Sequence, residues 1–124
     1  MKKKKILIIE DNEQNLYLAT FLLEKQDYDV VQARNGHRGL ELAVSENSDL
    51  ILLDIQLPVM DGYEIAGRLK QAEETKSIPI IAVTSYAMAG DRETILATGC
   101  EGYIEKPIDT DSFVEQVRGF LPKD

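Results

Sequence analysis

The sequence predicts an open α/β sheet of parallel strands covered by helices on both faces. Short apolar runs recur without strict alternation of apolar and polar residues, which is what strands buried on both faces require. Stretches with helical apolar spacing lie between them. Strand and helix alternate five times within 124 residues, a length that suits one compact domain with a sizeable core and no disulfide or metal staple. No internal repeat, low-complexity tract or linker interrupts the alternation, so residues 1–124 read as a single domain.

Taken in order, the first strand is "KKILIIE", ending at Glu10, and the helix after it shares Leu16, Ala19, Leu22 and Leu23 on one face. "YDVVQA" from Tyr28 is more polar than the other strands and fits a sheet edge. The following helix groups Leu40, Ala43 and Val44, with "NGHRG" (Asn35 to Gly39) at its start. That segment has two glycines but no phosphate-loop lysine pattern, so it serves as a turn and a helix start. His37, Arg34 and Arg38 read as solvated surface residues.

The third strand, "DLILLD", is the most apolar run and ends at Asp54, after which the chain turns through Pro58 and Gly62 into a helix carrying Ile65 and Leu69. "IPIIAVT" forms the fourth strand, ending at Thr84. The helix from Met88 to Thr98 has the weakest apolar stripe, contains Gly90, and stops at Thr98 and Gly99. "GYIEK" gives the fifth strand, ending at Lys106 before Pro107, and the last helix shows Phe113, Val117, Phe120 and Leu121.

Composition narrows the function. Apolar residues make up 44% and charged residues 29%, an ordinary globular balance. Fourteen Lys and Arg stand against 22 Asp and Glu, for a net charge of -8, which argues against a nucleic-acid or anionic-membrane surface. Four of the cations sit together at Lys2 to Lys5 as a solvated lead-in to the first strand. The apolar run after them is too short for a signal peptide or a membrane span, so a cytoplasmic location is expected. Cys100 is the one cysteine and His37 the one histidine, which excludes an internal disulfide and a zinc spacing and leaves Cys100 as a small packing residue.

In an open α/β sheet, ligands bind outside the carboxyl ends of the strands. Those ends present Glu10 and Asp11, Asp54, Thr84, and Lys106. Three carboxylates brought close together repel one another unless some are protonated or a cation offsets them. A hard divalent ion with oxygen ligands is the natural counter-charge, and magnesium is the common one in phosphate chemistry. With the ion bound, a carboxylate facing the crevice can attack the phosphorus of a donor while the metal, amine and hydroxyl stabilise the transferring group. Asp54 would then become an acyl phosphate. Each residue alone has a plainer role: Glu10 and Asp11 favour a helix N-terminus, with Asp11 or Asn12 as its cap. Asp54 could be a loop acid, Thr84 a strand-end hydroxyl and Lys106 a solvated cation. The conjunction at one sheet edge is what favours chemistry.

These pieces, "ILIIEDNEQN", "DLILLDIQLPVMDG", "IPIIAVTSYAM" and "GCEGYIEKPI", resemble over the whole chain the receiver domain of bacterial two-component response regulators, in its stand-alone, chemotaxis-regulator-like form. The resemblance implies a flavodoxin-like doubly wound fold with strand order 2-1-3-4-5. It implies that Asp54 accepts a phosphoryl group from a histidine kinase or histidine phosphotransfer protein. Asp11, Asp54 and the backbone carbonyl of Gln56 would ligate Mg2+, with Glu10 holding it through water, while Thr84 and Lys106 grip the phosphoryl oxygens. Thr84 and Tyr103 would form the switch, and Gln56 and Tyr86 would tune hydrolysis of the aspartyl phosphate. The implied output is a change in affinity for a downstream protein, through the helix at 88–98, the strand at 101–106 and the last helix. The chain would act as a monomer or a weak phosphorylation-dependent dimer, with self-phosphorylation and slow autodephosphorylation but no multiple-turnover enzymatic role. "LPKD" follows the last helix, so no DNA-binding output segment is expected.

Other readings fit less well. A flavin or dinucleotide protein needs a glycine- or hydroxyl-rich loop after its first strand, where this chain has "EDNEQN". A haloacid-dehalogenase-type phosphatase pairs its nucleophile with a second aspartate two residues on, where Gln56 stands. A calcium loop at "DNEQNL" has Leu16 where glycine is required. A phosphate-independent interaction module with the same fold is opposed by the presence of Asp54, Thr84 and Lys106.

Overall fold

The computed structural model describes residues 3–57, 60–85 and 89–122. Pro58, Tyr86 and Met88, named above for the turn, the tuning position and a helix start, lie outside them. Along the described residues the elements run β1 (Lys5–Ile9), α1 (Glu13–Lys25), β2 (Asp29–Ala33), α2 (Gly36–Glu46), β3 (Leu50–Asp54), α3 (Gly62–Gln71), β4 (Ile80–Thr84), α4 (Ala89–Ala97), β5 (Gly102–Glu105) and α5 (Phe113–Phe120). The strands form one parallel sheet in the order β2-β1-β3-β4-β5, the order that the resemblance implies. The more polar β2 is an edge strand, and β3 and β4 are buried at all five positions.

Because side chains alternate across a strand, each apolar run feeds two cores. Ile6, Ile8, Leu50, Leu52, Ile81 and Val83 pack with Leu16, Ala19 and Leu23 of α1 and Phe113 and Val117 of α5. Leu7, Ile9, Ile51, Leu53, Ile80 and Ala82 pack on the other face with Leu42 and Ala43 of α2, Ile65, Ala66 and Leu69 of α3, and Ile95 of α4. Each Leu, Ile, Val or Phe among them that is fully removed from water contributes about 1.5–3 kcal/mol, so the strands hold their ends rigidly. Among the described side chains of α4, Ile95 is the one buried, in agreement with its weak stripe, and Gly99 (φ 102) lies just past its end.

α2 departs from the expected face. Val44 is half exposed and Leu40 only partly buried, while Gly36, Gly39, Leu42 and Ala43 face inward. A Cβ on Gly39 would lie 2.5 Å from Ile9 Cδ1, and one on Gly36 would lie 2.7 Å from Ile65 Cδ1. The helix therefore docks by its bare backbone, which a count of apolar side chains does not register.

Helix starts are capped locally. The side chains of Asn12, Asn35 and Asp61 accept from the backbone N–H groups of Asn15, Arg38 and Glu64, satisfying donors the helices cannot. At the opposite rim of the sheet, the Lys70 ammonium donates to the carbonyls of Lys76 (3.3 Å) and Ile78 (3.0 Å) and to Glu101 Oε1 (3.0 Å). The other oxygen of Glu101 accepts from Ile80 N–H at 2.7 Å. The ends of α3, β4 and the approach to β5 are thereby joined through two side chains.

Gly62 has a different constraint from the helix-interior Gly67. A Cβ at Gly62 would stand 2.3 Å from Ile55 Cα, whereas one at Gly67 would meet nothing within 4 Å. Gly67→Ala is expected to raise the stability by about 0.5–1 kcal/mol, and Gly62→Ala to lower it by about 1–3 kcal/mol. Urea denaturation midpoints of the two variants check this opposition of sign.

Candidate functional site

The site begins with register. Ile9 pairs with Leu53, so Glu10 and Asp54 emerge side by side from β1 and β3, and Asp54 pairs in turn with Val83, one residue before Thr84. Glu10 and Asp54 fall on the same pleat as Ile8 and Leu52, which directs both carboxylates to one side of the sheet. Lys106, directly after β5, follows the same parity as Ile104. Its backbone N–H donates to Thr84 carbonyl at 2.8 Å, and the Lys106–Pro107 peptide bond is cis.

Of the five residues expected at the strand ends, Glu10, Asp11, Asp54 and Lys106 lie together. Lys106 Nζ lies 3.0 Å from Glu10 Oε1 and 3.4 Å from Asp54 Oδ2. Carboxylate oxygens of Glu10, Asp11 and Asp54 lie within 4.8 Å of one another. Thr84, the fifth, ends β4 at the same edge and is fully buried. Asp54 is 3% exposed and Glu10 4%, while Asp11 is open to solvent. Asn12, not Asp11, caps α1, which leaves the Asp11 carboxylate to the crevice.

Electrostatics follow from this crowding. Burial pushes the Glu10 carboxyl up to about 7, the hydrogen bond to Asp54 and its charge push the same way, and Lys106 partly opposes them. One amine against three acids leaves an excess of negative charge in a partly desolvated crevice. These donors fit a hard divalent cation: three carboxylates, one of them exposed, with the backbone of the β3–α3 connection alongside.

The β3–α3 connection is organised around Asp54. Gln56 N–H donates to Asp54 Oδ1 at 2.8 Å, and Gln56 Oε1 accepts from Ser85 N–H at 3.3 Å. Gly62 N–H donates to Ile55 carbonyl, folding α3 back under the connection. Tyr103, expected at the switch position, is half-buried against the core that holds α3 and α4, and the Arg92 guanidinium of α4 stands 5.5 Å over its ring. A plain core tyrosine and a mobile one are both compatible with half-burial, but the Arg92 contact ties the ring to the most loosely packed helix.

Sequence reasoning did not anticipate the Gln56 to Ser85 bond or the Arg92 to Tyr103 contact. Neither has a local signal, since both join residues from different elements. Arg34 and Arg38 are exposed, as expected, but each is paired, with Glu13 and Glu41. His37 is exposed and Cys100 buried, both as expected. No helix among the described residues is long and apolar enough to cross a membrane.

Comparison with known proteins adds the family context. Residues 6–118 match the response regulator receiver domain. The polar-differentiation response regulators DivK of Brucella anthropi and Brucella ovis are each 46% identical over 118 residues, covering 95% of this chain and 96% of theirs. Among solved structures, the receiver domain of a Pseudomonas aeruginosa sensor histidine kinase, determined with a magnesium ion coordinated in its active-site cleft, has a TM-score of 0.86. It is 31% identical, over 96% of this chain and 98% of that one. The Vibrio cholerae chemotaxis protein CheY4 superposes with a TM-score of 0.92 at 23% identity over 97% of this chain and 100% of that one, a likeness of fold.

The raised Glu10 carboxyl has a signed consequence. Its folded value, about 7, lies above the ordinary 4.5, so without a cation the folded state holds a proton that the unfolded chain has lost. Stability from this group is present below about pH 4.5 and declines as pH rises through about 7. A divalent cation beside these carboxylates would disfavour the added proton. Magnesium is therefore expected to raise the Tm clearly at pH 8 and little at pH 5, relative to the chelated protein, in thermal melts at matched ionic strength.

Proposed function

From the premise that this chain belongs to the response regulator receiver domain family, whose members are phosphoacceptor signalling domains rather than classical enzymes, we propose that Asp54 is its phosphoacceptor. One observation carries this reading: the Lys106 ammonium touches the buried carboxylates of Asp54 and Glu10, with Asp11 beside them. That arrangement is an anionic crevice with one nucleophilic carboxylate on a rigid strand end and one fixed cation.

In the proposed step, an Asp54 carboxylate oxygen attacks phosphorus on a phosphohistidine, the O–P bond forms as the N–P bond breaks, and the imidazole leaves as the neutral base after taking up a proton. The product is an acyl phosphate, which water later cleaves at phosphorus to restore the carboxylate and release inorganic phosphate. Asp11, Asp54 and the Gln56 carbonyl would hold Mg2+, with Glu10 acting through water, and the ion would supply charge neutralisation at the transferring oxygens. Lys106 and the Thr84 hydroxyl hold the phosphoryl oxygens. The β3 core fixes Asp54 to within the small tolerance a nucleophile requires. Self-phosphorylation from a small donor and slow autodephosphorylation belong to the same proposal.

Signal output follows from added charge. A phosphoryl group brings roughly 1.5 to 2 negative charges and three acceptor oxygens, and Thr84 shifts toward them while Tyr103 turns inward. The surface altered is α4, β5 and α5, where a groove of about 440 Å³ lies between Tyr103, Glu105, Pro107, Asp109, Ser112 and Gln116. A downstream protein reads that surface, and a histidine kinase or histidine phosphotransfer protein supplies the phosphoryl group. Residues 1–124 act as one cytoplasmic receiver unit, monomeric or weakly dimeric when phosphorylated, without direct nucleic-acid contact. Gln56 and Tyr86, two residues beyond Asp54 and Thr84, set the lifetime of the aspartyl phosphate.

Incubation with acetyl phosphate and magnesium, followed by peptide mapping, is expected to place one phosphoryl group on Asp54, none in Asp54→Asn, and far less in chelator. Lys106→Met is expected to slow the reaction about 10–100-fold, the range for losing one charge-assisted contact to the transferring group. Label on another residue, or signalling retained by Asp54→Asn, would return the chain to a phosphate-independent module. Decay of the phosphorylated protein is expected to accelerate in Tyr86→Ala, followed by the loss of label after donor removal.

A further inference from the structure

The Gln56 side chain makes a contact that neither metal binding nor phosphoryl transfer uses. Its backbone N–H is bonded to Asp54 Oδ1 at 2.8 Å while its carboxamide oxygen reaches across to the backbone N–H of Ser85 at 3.3 Å. One residue therefore spans the gap between the reactive carboxylate and the first backbone donor beyond β4. Ser85 directly follows Thr84, so its N–H stands at the same carboxyl edge of the sheet as the rest of the site.

We propose that Gln56 is a latch: in the unphosphorylated protein its carboxamide occupies the Ser85 N–H, the donor that a phosphoryl group on Asp54 takes over. This rests on Asp54 being the acceptor. The phosphoryl group adds three acceptor oxygens within the span that the Gln56 side chain now bridges. A charged oxygen is a stronger acceptor than a neutral carboxamide, so the exchange of partners runs in one direction. The displaced side chain releases the β3–α3 connection from the β4–α4 connection. The latch thus opposes activation in the resting protein and lets go when Asp54 is modified.

The chemistry that distinguishes a latch from mere bulk is the acceptor oxygen. Gln56→Met keeps roughly the length and volume of the side chain and the backbone carbonyl, and removes the carboxamide with its acceptor oxygen. Gln56→Ala removes both. The probe is beryllium fluoride with magnesium, a phosphoryl mimic in which beryllium bonds to the carboxylate oxygen in place of a water.

In both variants without the mimic, the Ser85 amide proton is expected to move upfield and to exchange faster with solvent. Both are expected to bind beryllium fluoride about two- to tenfold more tightly than the unmodified protein, the range for removing one competing neutral hydrogen bond. A structural role alone would weaken binding instead. An unaltered Ser85 amide in Gln56→Met, or affinity equal to or below that of the parent, overturns the latch while leaving the acceptor assignment intact. Failure of the parent protein itself to bind the mimic overturns both.

Discussion

The crowding of three carboxylates around one amine is the constraint on which the rest of the molecule turns. Charges of one sign spread apart unless the scaffold forbids it, and here the scaffold forbids it. Asp54 and Glu10 stand on adjacent strands whose every inward residue is apolar and buried, so neither can retreat without dragging a strand out of both cores. Lys106 reaches them from β5, and its charge covers one of three. The remainder is an excess of negative charge that a divalent cation can offset. The site is in this sense a tension built by the sheet.

That sheet was legible in the residues. Unbroken apolar runs with turn signals between them give parallel strands, the polar character of "YDVVQA" gives an edge, and the chemistry-bearing residues stand at strand ends where the fold gathers them. What was not legible has a common cause. Apolar spacing groups Val44 with the buried face of α2, yet the helix packs through Gly36 and Gly39, because close backbone contact with Ile9 and Ile65 outweighs one more apolar side chain. The Gln56 to Ser85 and Arg92 to Tyr103 contacts join residues 29 and 11 positions apart, and only the folded chain decides which polar groups meet. The capping of α1 by Asn12 was one of two options the sequence offered, and the geometry chose the one that leaves Asp11 for the crevice.

The two faces of the sheet are unequally held. α1 and α5 close one side around Phe113 and Val117, and α2 and α3 pack closely on the other. α4 contributes Ile95 as its buried side chain and meets β5 through Arg92 over Tyr103. Local stability differs accordingly, with the segments that make the fewest buried contacts opening most readily. The weakly held helix lies next to the strand that leads into Lys106, so the loosest element and the fixed cation of the site share one edge of the molecule.

The joint made by Lys70 and Glu101 lies at the far rim, where α3, β4 and the chain entering β5 are fastened together. A beam clamped at one end and loaded at the other bends most near its free tip. With β4 and β5 riveted at their amino ends, a disturbance at Thr84 and Lys106 falls on the adjoining loops instead of sliding the strands bodily, and the mechanical advantage of the domain is set at the rim opposite its chemistry.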